Sequence, residues 1–499
     1  MKKIIIILSL VVFLNNLSFV IAQDKADQKS QCIKAMRSIT AAECLDHVKY
    51  LAGKECEGRG TCDGGFGKAA AYVAGHFREI GLLHLMKDSS YYQVFNVNRN
   101  MILDGNEFSL ELLLKSPSGK DTLEIKYQLE YDFLPAGVSA SCDIRTNVVF
   151  AGYGISSKEN NWDDYKKLDV KDKVALILGG TPPVEDSDFG SLYRISRKAD
   201  MAKNAGASAL LVVGKPIGTI SAYQSIPVVT ISKKVADDLL KGTAENIEGL
   251  KHKIKEKQRS NSFNLKHNIH LKVNSELITD CQTMNILGYI EGSDNELRDE
   301  FIVIGAHVDH LGNIDDHIFC GANDNASGTT VVMEVAEAFC LLEKAPKRSV
   351  LFIAFTGEEM GLIGSSYFVE NPQMPLSNIK AMINLDMVGS GDDAIMVVGG
   401  NSFPEFAELF DTLTSQYVHV PVKRRWASSN SDHYPFHKAG IPAVFLYAMR
   451  GVPTYHTSKD RPETLDPEVM ENVGRLVFMT AVNLANKESI SFRYIEKEK

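Results

Sequence analysis

The sequence predicts an α/β protein, a sheet flanked by helices with a β-rich unit inserted, and three textures in the 499 residues carry that reading. The last two hundred or so residues repeat apolar runs of parallel-strand length (NILGYIEG, EFIVIGAH, SVLFIAFTG, KAMINLDMVG, IPAVFLYA), with helical patterns such as SGTTVVMEVAEAFCLLE and FPEFAELFDTLTSQY between several of them. From about Asn147, short strand candidates crowd together (NVVFAGYGI, VALILGG, ALLVVG, IPVVTIS), with RISRKADMAKNAGA as the one long helix among them. Residues 91 to 135 alternate apolar and polar, the pattern of antiparallel strands.

In chain order, MKKIIIILSLVVFLNNLSFVIAQ reads as a signal peptide cleaved after Ala22: Lys2 and Lys3, an apolar run too short for a span of about 20 residues, then small residues. This implies export, to a periplasmic or extracellular location, and no membrane attachment after cleavage. The formal charge is −9, and removing two signal-peptide lysines makes the mature chain more acidic still, which argues against nucleic acid as a partner. All eight cysteines lie beyond the signal, and export permits disulfides; Cys56 and Cys62, flanking a Gly-rich turn in ECEGRGTC, are the favoured pair, though the pairing stays open.

Thr40 and Glu43 form a capping box that should start a helix near Ala41. A Gly-rich loop follows, without a phosphate-binding pattern, and then a helix through KAAAYVAGHFREIG, in which the lone His76 reads as ordinary packing. The stretch 241–268 is polar and basic and reads as solvated surface or linker, with His252, His267 and His270 near it but no carboxylate cluster. A final helix should run from Pro467 to Ala485. The organisation expected is a signal peptide (1–22), the N-terminal part of the main domain (23–141), a β-rich insert (142–255) and the remainder of the main domain (256–499).

Chemistry concentrates after the apolar runs, where open α/β sheets place their ligands. Ile302–Ala306 leads to His307 and Asp309, Val350–Phe355 to Glu358 and Glu359, Met382–Leu385 to Asp386, and Val444–Ala448 by a loop to His456. Asp324 joins from the turn before a helix starting near Ala326, where it suits either a helix cap or a carboxylate shared by two cations. His307 and Asp309 share a face of extended backbone, which suits an imidazole ligand oriented by a carboxylate, and His310 should then point elsewhere. Of the adjacent Glu358 and Glu359, one can bind metal while the other serves as base.

The motifs GAHVDHLG, GANDNASG, FTGEEMGLIGS, INLDMVG, SDHYPFHKAGIPAVFL and YHTSKD, in this order and spacing, resemble the M28 family of dizinc aminopeptidases, as does LAGKECEGRGTCDGGFGKAAAYVAGHFREIGL near the N-terminus. The region from about Cys142 to Leu240 resembles the protease-associated (PA) insert that many members carry. The resemblance implies a mixed sheet of zinc-exopeptidase type and two Zn2+ per chain: His307, Asp324 and Asp386 at the first, and Asp324, Glu359 and His456 at the second. It further implies Glu358 as general base, Asp309 as partner of His307, and Asp432 and Tyr455 as candidate substrate contacts. The activity implied is removal of N-terminal residues from peptides with a free N-terminus, by attack of a hydroxide bridging the metals. Alternatives are a carboxypeptidase of the same fold, for which Arg424 and Arg425 could grip a substrate carboxylate; a single-zinc glutaminyl cyclase; and a receptor-like protein on an inactive scaffold. The PA-like unit is expected to overhang the cleft. Side-chain preference and oligomeric state stay open.

Overall fold

The computed structural model describes residues 27–497 apart from 117–118, 186 and 392, so the expected signal peptide lies outside the described residues. Among the described residues no helix is long and apolar enough to cross a membrane.

An eight-stranded mixed sheet forms the main domain. From edge to edge it runs Tyr92–Ile102, Ser275–Ile290, Ser349–Phe355, Phe301–His307, Ile379–Leu385, Ala443–Ala448, Ile395–Val398 and Val422–Arg425. The four strands in the middle, 349–355, 301–307, 379–385 and 443–448, are mutually parallel. Phe301–His307 and Ser349–Phe355 are buried at every position, the continuous apolar reading expected of strands covered on both faces. On one face the helices Ala41–Leu51, Gly64–Glu79, Ser327–Cys340, Pro404–Tyr417 and Pro467–Asn486 enclose the largest core; on the other, Leu287, Val303, Leu351, Phe355 and Phe436 centre a second. Thr40 caps the first of these helices, its hydroxyl accepting from the Glu43 amide at 3.3 Å. The run NILGYIEG departs from expectation: Ser275–Ile290 pairs antiparallel with both neighbours, because the long strand enters the sheet from the insert rather than by a helical crossover.

The second sheet also has eight strands: Gly119–Lys126, Glu107–Ser116, Ser262–Val273, Cys142–Ala151, Val174–Leu178, Ala209–Val213, Val228–Ile231 and Phe133–Pro135. It therefore reaches beyond the 142–255 span, taking in the hairpin 107–126 and the strand 262–273. The stretch 241–268 is also more ordered than its polarity suggests. Asn246 caps the helix Ile247–Lys257, which buries Ile247, Leu250 and Ile254 at a spacing of three to four residues, and Ser262–Val273 lies inside the sheet. A narrow apolar stripe carries both elements, and it is masked by the lysines around it. His252 is exposed beside Glu256, and His270 meets Asp143 at 2.8 Å, away from the main sheet.

The disulfide joins Cys62 to Cys281, not to Cys56. The segment between Cys56 and Cys62 does turn back, but it sends Arg59 and Cys56 into the interior and leaves Cys62 facing the long strand 275–290. Cys56 is buried and free.

Candidate metal centre

The carboxyl ends of the four parallel strands deliver the chemistry. His307 is the last residue of its strand; Glu358 and Glu359 follow Phe355 by a three- and four-residue step; Asp386 follows Leu385; and a loop after Ala448 brings in His456. Asp324 comes from the irregular turn Ala322–Ala326, whose backbone is not helical at Asp324, so this aspartate does not act as the cap of the helix Ser327–Cys340.

The five side chains converge with a consistent pairing. Asp324 turns Oδ1 toward His307 Nε2 (3.3 Å) and Oδ2 toward His456 Nε2 (3.2 Å). His307 Nε2 also stands 3.4 Å from Asp386 Oδ1, and His456 Nε2 stands 3.1 Å from Glu359 Oε2. Nε2 of His307, Nε2 of His456 and Asp386 Oδ1 are buried without a hydrogen-bond partner and face a common space. Two donors at about 2.0–2.1 Å from a tetrahedral ion lie roughly 3.3 Å apart, which these separations match. The residues present therefore fit two divalent cations sharing Asp324, with His307 and Asp386 on one side and His456 and Glu359 on the other.

The electrostatics of the bare cluster show what such cations would relieve. Burial disfavours charge on Asp324, but the imidazoles of His307 and His456 outweigh it and hold the carboxyl well below its usual range. Burial likewise opposes protonation of both histidines, and surrounding carboxylates, Glu358 and Asp386 at His307 and Glu359 and Asp324 at His456, push both well above the ordinary imidazole value. Glu359 is drawn to about 2 by His456 and His310 against its burial. Glu358, desolvated and beside Glu359 and Asp386, is raised well above the carboxylate range.

The surrounding hydrogen bonds modify two expectations. His307 Nδ1 faces the main-chain carbonyl of Asp309 at 3.0 Å, whereas the Asp309 carboxylate stands 3.8 Å away. That carboxylate instead accepts from Thr61 Oγ1 (3.0 Å) and from the Glu358 amide (3.3 Å), so it anchors the loop carrying the two glutamates. His310, set aside by the period-two argument, is buried inside the cluster, with Nδ1 2.7 Å from Glu359 Oε1. The strand ends at His307, and beyond it the backbone bends to bridge Gly60, so extended parity no longer applies. Asp460, in YHTSKD, accepts from the amides of Asn323 (2.9 Å) and Asp324 (3.0 Å) and holds the Asp324 turn. Arg59, fully buried, donates to the carbonyls of Leu51, Val308, Cys320 and Gly321, tying the Gly-rich loop under the site; a charged residue amid glycines was its only signal in the sequence.

The two weaker candidates lie at the margin. Asp432 is buried, accepts from Ser365, keeps Oδ2 unpartnered, and is raised by burial to about 7. Tyr455 is 45% exposed, and its ring stacks on His456 at 3.8 Å. Arg424 pairs with Asp411 and Arg425 lies over the Tyr447 ring, both on the outermost strand.

The parallel central strands of this mixed sheet thus carry a buried cluster of histidines and carboxylates at their carboxyl ends. Residues 285–481 match the model of peptidase family M28, and residues 133–239, ahead of them in the chain, match the model of the PA domain. The chain is 28% identical over 348 residues to aminopeptidase YwaD of Bacillus subtilis, covering 64% of each chain. It is 29% identical over 234 residues to the probable glutamate carboxypeptidase LAMP1 of Arabidopsis thaliana, covering 42% of this chain and 33% of that protein. Matches to these curated relatives thus span about two thirds or less of their length. Among solved structures, BSAP, a zinc aminopeptidase from Bacillus subtilis, superposes with a TM-score of 0.59 at 22% identity, covering 91% of this chain and 97% of that one.

Proposed function

We propose that this chain is an exported, two-zinc aminopeptidase that cleaves the first peptide bond of peptides with a free N-terminus. The single observation that carries the reading is the split presentation of Asp324, one oxygen toward each imidazole, which suits a pair of ions rather than one. His307, Asp324 and Asp386 would hold the first ion, and Asp324, Glu359 and His456 the second. When bound, the two ions supply Lewis acidity to the attacking water and the scissile carbonyl.

The protein's own residues then divide the remaining work. Glu358, held beside the cluster and not paired with either imidazole, takes the proton from the attacking water as its oxygen bonds to the carbonyl carbon, and returns that proton to the departing amine as the C–N bond breaks. Asp309 is a positioning residue: it fixes the Glu358 amide. The excess of carboxylates favours a cationic amine at the cleft, with Asp432 and Tyr455 as the nearest candidates to contact the substrate. Arg424 and Arg425 are engaged elsewhere, which weighs against a carboxylate grip and so against the carboxypeptidase alternative. The Cys62–Cys281 disulfide accords with an oxidising, periplasmic or extracellular location.

Paired peptides test the reading. With zinc present, a peptide with a free N-terminus and an amidated C-terminus should be cleaved, and its N-acetylated counterpart with a free C-terminus should not. The opposite preference would establish the carboxypeptidase instead.

A further inference from the structure

The inserted unit reaches the metal centre through its backbone. The loop after the strand Ala209–Val213 lays Gly218 against His456 in a reciprocal pair: the Gly218 amide donates to the His456 carbonyl (2.8 Å), and His456 Nδ1 faces the Gly218 carbonyl (2.9 Å). A carbonyl can only accept, so Nδ1 carries the donated proton, and Nε2 is the nitrogen turned toward Asp324 and Glu359, where a cation would take the place of a proton. His456 has φ +54°, a left-handed conformation uncommon outside glycine, so its backbone needs such external restraint.

Two further contacts make the restraint a clamp. Glu130, 8% exposed and just ahead of the strand Phe133–Pro135, accepts from the amide (2.8 Å) and the hydroxyl (2.7 Å) of Ser458, two residues beyond His456. Gly218 is pressed against the main domain so closely that an added Cβ would lie 2.5 Å from Leu311 Cδ1 and 3.0 Å from Phe319 Cε1. Leu311 and Phe319 share an apolar cluster with Leu134 and Ile220 from the inserted unit, which fixes the loop in place.

We propose that the second sheet completes the second cation site, with Gly218 and Glu130 as positioning residues that set the tautomer and the loop conformation of His456. This rests on the two-zinc reading above. The unit is then part of the metal centre rather than only a cover over the cleft.

The test measures zinc stoichiometry and affinity by competition with a chromogenic chelator, using the full-length protein and monitoring folding by circular dichroism. In Glu130→Ala and Gly218→Val, one of two bound ions should weaken by about 10- to 100-fold while the other keeps its affinity. Glu130→Gln, which retains an acceptor oxygen, should lose less. Gly218→Val combined with Leu311→Ala, which makes room for the added side chain, should recover affinity. If Gly218→Val does not fold, the Glu130 pair decides alone. A wild-type protein that binds two ions, with Glu130→Ala binding both unchanged or losing both equally, overturns the proposal. A wild-type protein that binds no pair overturns the reading beneath it instead.

Discussion

Glu358 and Glu359 are neighbours with opposite environments. Both carboxyl groups are buried, but Glu359 is wedged between His456 and His310, which stabilise its charge, whereas at Glu358 burial, Glu359 and Asp386 together outweigh His307 and oppose charge. Glu358→Gln should therefore keep both metals and lower turnover by at least about 10²- to 10⁴-fold, the range general base catalysis supplies; metal content measured beside steady-state rates checks this, and near-normal turnover would remove Glu358 from its role. His310 supports the second site through Glu359 Oε1, so His310→Ala should weaken one ion by about 10- to 100-fold, read by zinc competition. The convergence of His307, Asp324, Glu359, Asp386 and His456 was legible because each follows an apolar run or a helix-start turn. The positions of His310 and of the Asp309 carboxylate were not, because they lie just past a strand end, where side-chain direction depends on tertiary bends such as the Gly60 bridge.

At the scale of elements, uninterrupted apolar runs revealed the central strands, whereas Ile247–Lys257 and Ser262–Val273 were hidden by lysines lining a thin apolar stripe. The favoured Cys56–Cys62 pair does not form because proximity in sequence does not decide pairing: Arg59 draws the Cys56 side of the loop inward, and Cys62 meets a partner 219 residues away. That bridge ties the start of the helix Gly64–Glu79 to the long strand Ser275–Ile290. Cys281→Ser should cost about 2–4 kcal/mol of stability, a range typical of structural disulfides, visible as a lower midpoint in denaturant unfolding; an unchanged midpoint would show that the loop is held by packing alone.

For the molecule as a whole, the sequence showed three textures, and the structure gathers them into two eight-stranded sheets that meet at the candidate metal centre. Their polar contact could not be read, because it runs through backbone groups at Gly218 and through Glu130, whose residue types carry no signal of their own. The proposed identity of this buried set of imidazoles and carboxylates as a two-ion catalytic site is open to direct measurement. Its most direct test is to strip the protein with a chelator, return zinc in measured increments, and follow bound zinc and hydrolysis of a peptide with a free N-terminus together. Two equivalents per chain, with activity absent from the stripped protein and restored as zinc is returned, is the predicted result; saturation at one equivalent, or full activity in the stripped protein, would contradict it.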